Sequence, residues 1–116
     1  MLTTEIEKSR THILIEIIEY VPNSVVSKTI IRKTTGNISI VAIDIGEALA
    51  EKISPFDTYI QIIEGESEIV IDNCSTILAT GQAMLVPAHT ANLIRAHNPS
   101  KMVVIVIKSG YEGIII

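Results

Sequence analysis

The side chains that could do chemistry are few in this sequence, and their spacing matches no familiar catalytic set. The histidines are His12, His89 and His97, and Cys74 is the lone cysteine. The sequence contains no recognisable Ser-His-Asp or Cys-His arrangement, phosphate-binding glycine loop or zinc cluster. A displaced metal site could use His89, His97 and Asp57, but nothing in their spacing specifies one. The elements that would position these residues therefore decide what they can do.

The composition predicts one soluble domain with an aliphatic core. The chain has 116 residues, of which 47% are hydrophobic and only 3% aromatic. Branched aliphatic side chains pack well on pleated sheets, which favours β structure. The net charge of −4, with scattered Lys and Arg, argues against nucleic acid as a partner. The apolar runs are too short to span a bilayer, and a lone cysteine fits a reducing compartment, so we expect a cytoplasmic protein with no membrane partner.

Short apolar runs separated by turn residues predict an all-β protein. The predicted strands are 25–32, 38–45, 58–63, 67–71, 75–78, 84–86, 92–96 and 102–107. Asp72-Asn73 predicts a tight hairpin turn, and Gly36-Asn37 predicts another turn. Residues 12–21 have apolar positions at helical spacing, so we expect a short N-terminal helical turn there, although the run could begin as a strand. This pattern favours an antiparallel sandwich or barrel.

The distribution of apolar residues also predicts how the chain is organised. We expect an extension at 1–24 that packs on the barrel or on a partner subunit, a barrel at 25–108 and a tail at 109–116. The strand 102–107 is apolar on both faces and should be covered on both sides. A mean hydropathy of +0.44 is high for a small monomer. The surplus of apolar surface therefore predicts a homodimer.

The glycines and proline between residues 46 and 92 resemble the two motifs of the cupin superfamily. Gly46 and Gly65 stand at the two ends of the first motif, and Gly81 and Pro87 stand in the second. The resemblance covers residues 25–107, and the short gap between the motifs is similar to that of compact bacterial cupins. It implies an antiparallel double-stranded β-helix, the jelly-roll barrel of small, single-domain, RmlC-like cupins of the conserved-barrel type.

The resemblance also implies where a metal would be bound, and there the sequence departs from the family. Lys52, Ser54, Thr58 and Asn92 stand where cupins carry histidine, histidine, glutamate and histidine. Divalent metals prefer imidazole and carboxylate ligands, whereas neutral oxygens bind them weakly and an ammonium repels them. We therefore interpret the metal-binding motifs as degenerate and predict neither a metal nor another cofactor at these positions.

The four motif positions instead predict a polar cluster at one end of an apolar pocket. If Lys52 faces the interior, alternation along the strands turns further side chains the same way. The other pocket candidates are Asp57, Ile60, Ile62, His89, Ile94 and Ala96. Lys52 could bind a ligand carboxylate or act as a nucleophile, but we favour a lysine that reaches the pocket mouth and pairs with Asp57 or Glu51. For His89 we favour a turn residue with positive φ over a ligand or base at the mouth.

These residues support three functions of different classes. The first is a module without a metal that binds a small polar or anionic molecule or acts as an accessory protein, with no catalytic residue identified. The second is a cupin-type isomerase or oxygenase with an unconventional metal site near His89. The third is a dimeric scaffold whose apolar outer sheet binds a partner. We favour the first, in which the protein is not an enzyme.

Overall fold

Two antiparallel sheets make up the domain. A computed structural model describes residues 5–108, and for residues 50–52 it describes the backbone alone. Within this range a 3-10 turn at Leu14–Glu16 precedes nine strands, which are β1 (Val25–Lys33), β2 (Gly36–Ile43), β3 (Ala48–Ile53), β4 (Thr58–Glu64), β5 (Glu66–Ile71), β6 (Cys74–Ala79), β7 (Ala83–Val86), β8 (Ala91–Ala96) and β9 (Ser100–Ile107). No helix of this part of the chain is long and apolar enough to cross a membrane.

The chain passes repeatedly from one sheet to the other. The five-stranded sheet has the order β1-β2-β9-β4-β7, and the four-stranded sheet has the order β3-β8-β5-β6. Every pairing is antiparallel, and no strand pairing joins the two sheets into a closed barrel among the described residues. This arrangement confirms the predicted all-β jelly-roll class, and the 3-10 turn confirms the short N-terminal helical turn.

The core lies between the sheets and follows from the alternation of side chains along each strand. Ile60 and Ile62 of β4, Ile69 of β5 and Ile94 of β8 are each at most 2% exposed. Met102 of β9 packs in the same cluster and is fully buried. Each such side chain contributes roughly 2 kcal/mol through its removal from water. The inner faces of both sheets are therefore held together by aliphatic packing.

One strand was not predicted from the sequence. β3 has the sequence Ala-Leu-Ala-Glu-Lys-Ile, in which apolar and polar residues do not alternate cleanly. The pairing register of β3 with β8 shifts between Leu49 and Lys52, as at a β-bulge. A bulge breaks the two-residue period on which strand prediction depends, which explains why this strand was missed.

The turns at either end of β2 also differ from the prediction. β1 and β2 are joined at Thr34-Thr35, since Lys33 pairs with Gly36, so Gly36-Asn37 begins a strand rather than a turn. β2 ends at Ile43, and a turn follows in which the Glu47 backbone N–H donates to the Asp44 carbonyl oxygen at 3.0 Å.

The predicted tight hairpin between β5 and β6 is confirmed. Ile71 pairs with Cys74, which leaves two residues in the loop. Asp72 and Asn73 have φ of 50° and 68°. Two successive residues with positive φ match the right-handed twist of the flanking strands, and Asp and Asn adopt that conformation at low cost.

The N-terminal segment covers part of the outer face of the five-stranded sheet. Ile18 is only 7% exposed and packs with Ile40 and Ala42 of β2. Ile63 of β4 lies against the same cluster. The N-terminal segment therefore covers part of the outer face of β2.

Polar contacts fasten this segment to the sheet. The Tyr20 hydroxyl donates to Glu64 Oε2 at 2.5 Å, across 44 residues of sequence. Lys101 is 8% exposed, and its ammonium donates to the Ile15 carbonyl oxygen. The same ammonium lies 4.9 Å from the centroid of the Tyr20 ring. A buried lysine thus finds both a hydrogen-bond acceptor and an aromatic face in the segment that covers it.

Candidate functional site

A cavity of about 660 Å³ opens between the two sheets. Its walls are mainly aliphatic side chains from both sheets, namely Val41, Leu49, Ile60, Val86, Ile94, Val104 and Val106. Its polar lining consists of Ser27, Asn37, Ser39, Ser54, Thr58, Asn92 and Lys108. This volume lies within the range of pockets that hold small organic molecules.

Three of the four motif positions line this cavity. Ser54 comes from the loop after β3, Thr58 from the start of β4 and Asn92 from β8. The backbone of Lys52 pairs with Asn92 across β3 and β8, but its side chain lies outside the described part of the structure. The structure therefore brings Ser54, Thr58 and Asn92 to one cavity.

The other candidates on the strands divide between the cavity wall and the deeper core. Ile60 and Ile94 line the cavity. Ile62 and Ala96 are 0% and 1% exposed and pack within the core cluster, away from the lining. Residue 52 lies in β3 and residues 58–62 lie in β4, and these two strands belong to different sheets. The loop between them is held in part by the Phe56 backbone N–H, which donates to Ser54 Oγ at 3.1 Å.

Asp57 and His89 lie in neighbouring loops outside the cavity lining. The Asp57 carboxylate accepts the Ala88 backbone N–H at 2.8 Å. His89 is exposed and has a φ of 65°, and its backbone N–H donates to the Ser54 carbonyl oxygen at 2.7 Å. These bonds tie the loop before β8 to the loop before β4. His89 thus occupies the left-handed turn conformation that the sequence suggested.

His97 lies elsewhere, on the outer face of the four-stranded sheet. Its Nε2 lies 3.0 Å from Glu68 Oε1, and Ser75 donates to the other oxygen of that carboxylate. The hydrogen bond from Ser75 and then that from His97 lower the pKa of Glu68 below its ordinary value. His97 therefore takes part in a surface network and does not join Asp57 and His89.

The cavity residues that the structure describes do not fit a divalent metal ion. Their oxygens belong to hydroxyls and amides, and neither a histidine, a thiol nor a carboxylate is among them. Metal sites in proteins depend on imidazole, thiolate and carboxylate ligands that converge. Across residues 5–108, apart from the three side chains left out, no group of three or more such residues comes together.

One cation that lines this cavity was not predicted from the sequence. Lys108 lines it, and its ammonium lies 5.9 Å from the centroid of the Phe56 ring, which also lines it. The signal was present in the alternation of β9, because Met102, Val104 and Val106 face the interior and the next inward position is residue 108. The predicted strand ended at residue 107, so Lys108 was not predicted to face the cavity.

Comparison with solved structures reveals close structural neighbours. A conserved protein of unknown function from Streptococcus pyogenes is 24% identical, with a TM-score of 0.85 over 93% of this chain and 95% of its own. A cupin superfamily protein from Desulfitobacterium hafniense is 26% identical, with a TM-score of 0.84 over 92% of this chain and 98% of its own. A cupin 2 conserved barrel domain protein from Leptotrichia buccalis is 26% identical, with a TM-score of 0.79 over 82% of this chain and 46% of its own.

These likenesses agree with the glycine and proline pattern and with the two-sheet topology. No family model matches the sequence, and no curated protein matches it. The comparisons therefore identify the fold and not a specific function. The sheet order, the cavity and the structural neighbours together show that this chain is a cupin-fold domain.

Proposed function

We propose that this cupin-fold protein binds a small organic molecule in the cavity between its sheets, without a metal ion as intermediary. The observation that carries the proposal is the pairing of aliphatic walls with neutral polar groups at Ser54, Thr58 and Asn92. A pocket of this kind holds a ligand by apolar contact and orients it with a few hydrogen bonds.

Binding rather than catalysis is favoured by the chemistry of the lining. Its described residues include several hydroxyls but no histidine, carboxylate or thiol that could accept a proton from them. A hydroxyl is a weak nucleophile unless such a base activates it. We therefore assign the cavity a binding or accessory role.

Filling the cavity should abolish binding while the fold persists. Val104 lines the cavity, so Val104→Phe places an aromatic ring where the ligand would lie. We expect the affinity for octanol, used as a neutral apolar probe, to fall at least about 10-fold, since most of the buried contact area is lost. Isothermal titration calorimetry measures the affinity.

The neighbouring residue supplies a matched control. Ile105 is on the opposite face of β9, where it pairs with Ile38 and Tyr59, so Ile105→Phe should leave octanol binding within about twofold. Binding that survives Val104→Phe, or the absence of binding by both octanol and octanoate, would overturn the proposal.

We also propose that the protein forms a homodimer through the outer face of its five-stranded sheet. A continuous apolar row crosses this face on directly paired positions, and we call it the outer apolar row. Its members are Ile31, Ile38, Ile105, Tyr59 and Leu85. Leu85 is 61% exposed at one end, and Ile107 beside the row is 52% exposed. An exposed apolar row of this kind is a candidate subunit interface.

Charges introduced into this face should separate the subunits. We expect the double variant Leu85→Lys/Ile107→Lys to sediment as a monomer at micromolar concentration, because ammonium groups resist burial in an apolar interface. Ile77→Lys is the control, since Ile77 is 43% exposed on the other sheet. Analytical ultracentrifugation distinguishes the species, and a monomeric unmodified protein would contradict the proposal.

A further inference from the structure

Lys108 lies at one end of the cavity, and the residues that line the cavity can be ordered by their distance from it. Because the strands of the five-stranded sheet are paired in register, the lining residues form successive levels. The level nearest Lys108 contains Asn37, Val106 and Thr58. The next level contains Ser39, Val104 and Ile60. Beyond it, Val41 still lines the cavity, while its partners at that level, Met102 and Ile62, belong to the buried core. Along β2, β9 and β4 the side chains therefore become less polar with distance from the lysine, whereas Ser27 of β1 adds a hydroxyl at the level of Val41.

Among the described residues, no ion pair with an N–O distance of 4.0 Å or less involves Lys108. The ion pairs found in residues 5–108 join Arg10 to Glu7, and Arg95 and His97 to Glu68. Lys108 is half-buried, and its ammonium lies 5.9 Å from the centroid of the Phe56 ring. An aromatic face attracts a cation but leaves its three N–H donors available to an acceptor. Partial burial strengthens the attraction between this ammonium and an anion, because water screens the pair less.

We propose that the ligand of this cavity is an organic monocarboxylate whose carboxylate pairs with Lys108 and whose apolar body extends toward Ile60 and Ile94. This inference rests on the proposed function and adds the chemical class of the ligand. One cation among the described lining residues matches one negative charge. A phosphate dianion is usually held by several N–H donors or cations, which the described lining does not offer.

The binding of three probes with the same eight-carbon chain tests the inference. We expect octanoate to bind at least about 10-fold more tightly than octanol, because a charge-assisted hydrogen bond is stronger than a neutral one. Octylamine should bind most weakly of the three. Added salt should weaken octanoate binding more than octanol binding, since ions screen the charged pair. Calorimetric titrations at two salt concentrations measure all of these differences.

Matched lysine variants locate the effect. Lys108→Gln should lower octanoate affinity at least about 10-fold and so remove the preference for octanoate over octanol. Lys28→Gln is the control, because Lys28 is exposed and pairs with Ile40 on the outer side of the sheet. If octanoate and octanol bind equally well, or if both variants lose octanoate affinity equally, the proposal that the ligand is a carboxylate is wrong. The proposal that the cavity binds a small organic molecule would not be affected. Failure of all three probes to bind would overturn the proposed function as well.

Discussion

Replacement of Gly65 by alanine is expected to lower the free energy of unfolding by at least about 3 kcal/mol, because it combines backbone strain with overpacking. Gly65 has a φ of 87°, which L side chains rarely adopt. A Cβ added there would overlap the Pro99 carbonyl oxygen and lie 3.0 Å from Ser100 Cα. Both neighbours are backbone atoms, so no change of rotamer relieves the overlap.

The close approach at Gly65 follows from the topology. The chain leaves the five-stranded sheet between β4 and β5 at Gly65, and it returns to that sheet between β8 and β9 at Pro99. The two connections lie against each other, and Ser100 Oγ bonds both the Glu66 N–H at 3.1 Å and the Glu66 carbonyl oxygen at 2.9 Å. A side chain at residue 65 would push these sheet-crossing segments apart.

Gly81→Ala is the matched control for this prediction. Gly81 has a φ of 90°, almost that of Gly65, but a Cβ added there meets no atom within 4 Å. Its cost should be the backbone strain alone, about 1 kcal/mol. Urea denaturation of both variants measures the difference. Equal losses would show that the contact with Pro99 does not constrain the fold.

The fold was predictable from the sequence where local rules act. The Asp72-Asn73 turn and the alternating strand at 58–63 follow from residue type and period, and both appear in the structure. The glycine pattern identified the architecture because Gly46, Gly65 and Gly81 all have positive φ, and at Gly65 the backbone of Pro99 also leaves no room for a side chain. β3 was missed because its bulge interrupts the alternation.

The candidate site was predictable only in part, because a cavity depends on contacts that are distant in sequence. Ser54, Thr58 and Asn92 were identified by their places in the motifs, and they do line one cavity. Asn37 and Ser39 line it too, but they come from β2, which the motifs do not include. Lys101 was also not singled out, since its acceptor lies 86 residues away at Ile15. Register between distant strands, and not local pattern, selects such partners.

Replacement of Tyr20 by phenylalanine is expected to destabilise the protein by about 2 kcal/mol, the usual range for a hydrogen bond to a charged group. The change removes the hydroxyl that donates to Glu64 Oε2 and leaves the part-buried carboxylate without that donor. Tyr59→Phe is the control, because the Tyr59 hydroxyl donates to neutral Gln61 Oε1 at 3.3 Å. A bond that long to a neutral acceptor should be worth less than about 1 kcal/mol.

The dependence of stability on pH tests whether the neutral Tyr20 hydroxyl stabilises the folded state. Burial, followed by the hydrogen bond to Glu64 and its charge, raises the pKa of Tyr20 well above its ordinary value. A folded-state pKa above the unfolded one means that the neutral phenol stabilises the fold fully below about pH 10, and that this contribution declines as the pH rises further. The difference in stability between the unmodified protein and Tyr20→Phe should therefore narrow above that pH. If the difference in free energy of unfolding stays constant between pH 8 and 11, Tyr20→Phe acts through a change in packing alone. The hydroxyl then does not hold the N-terminal segment on the sheet.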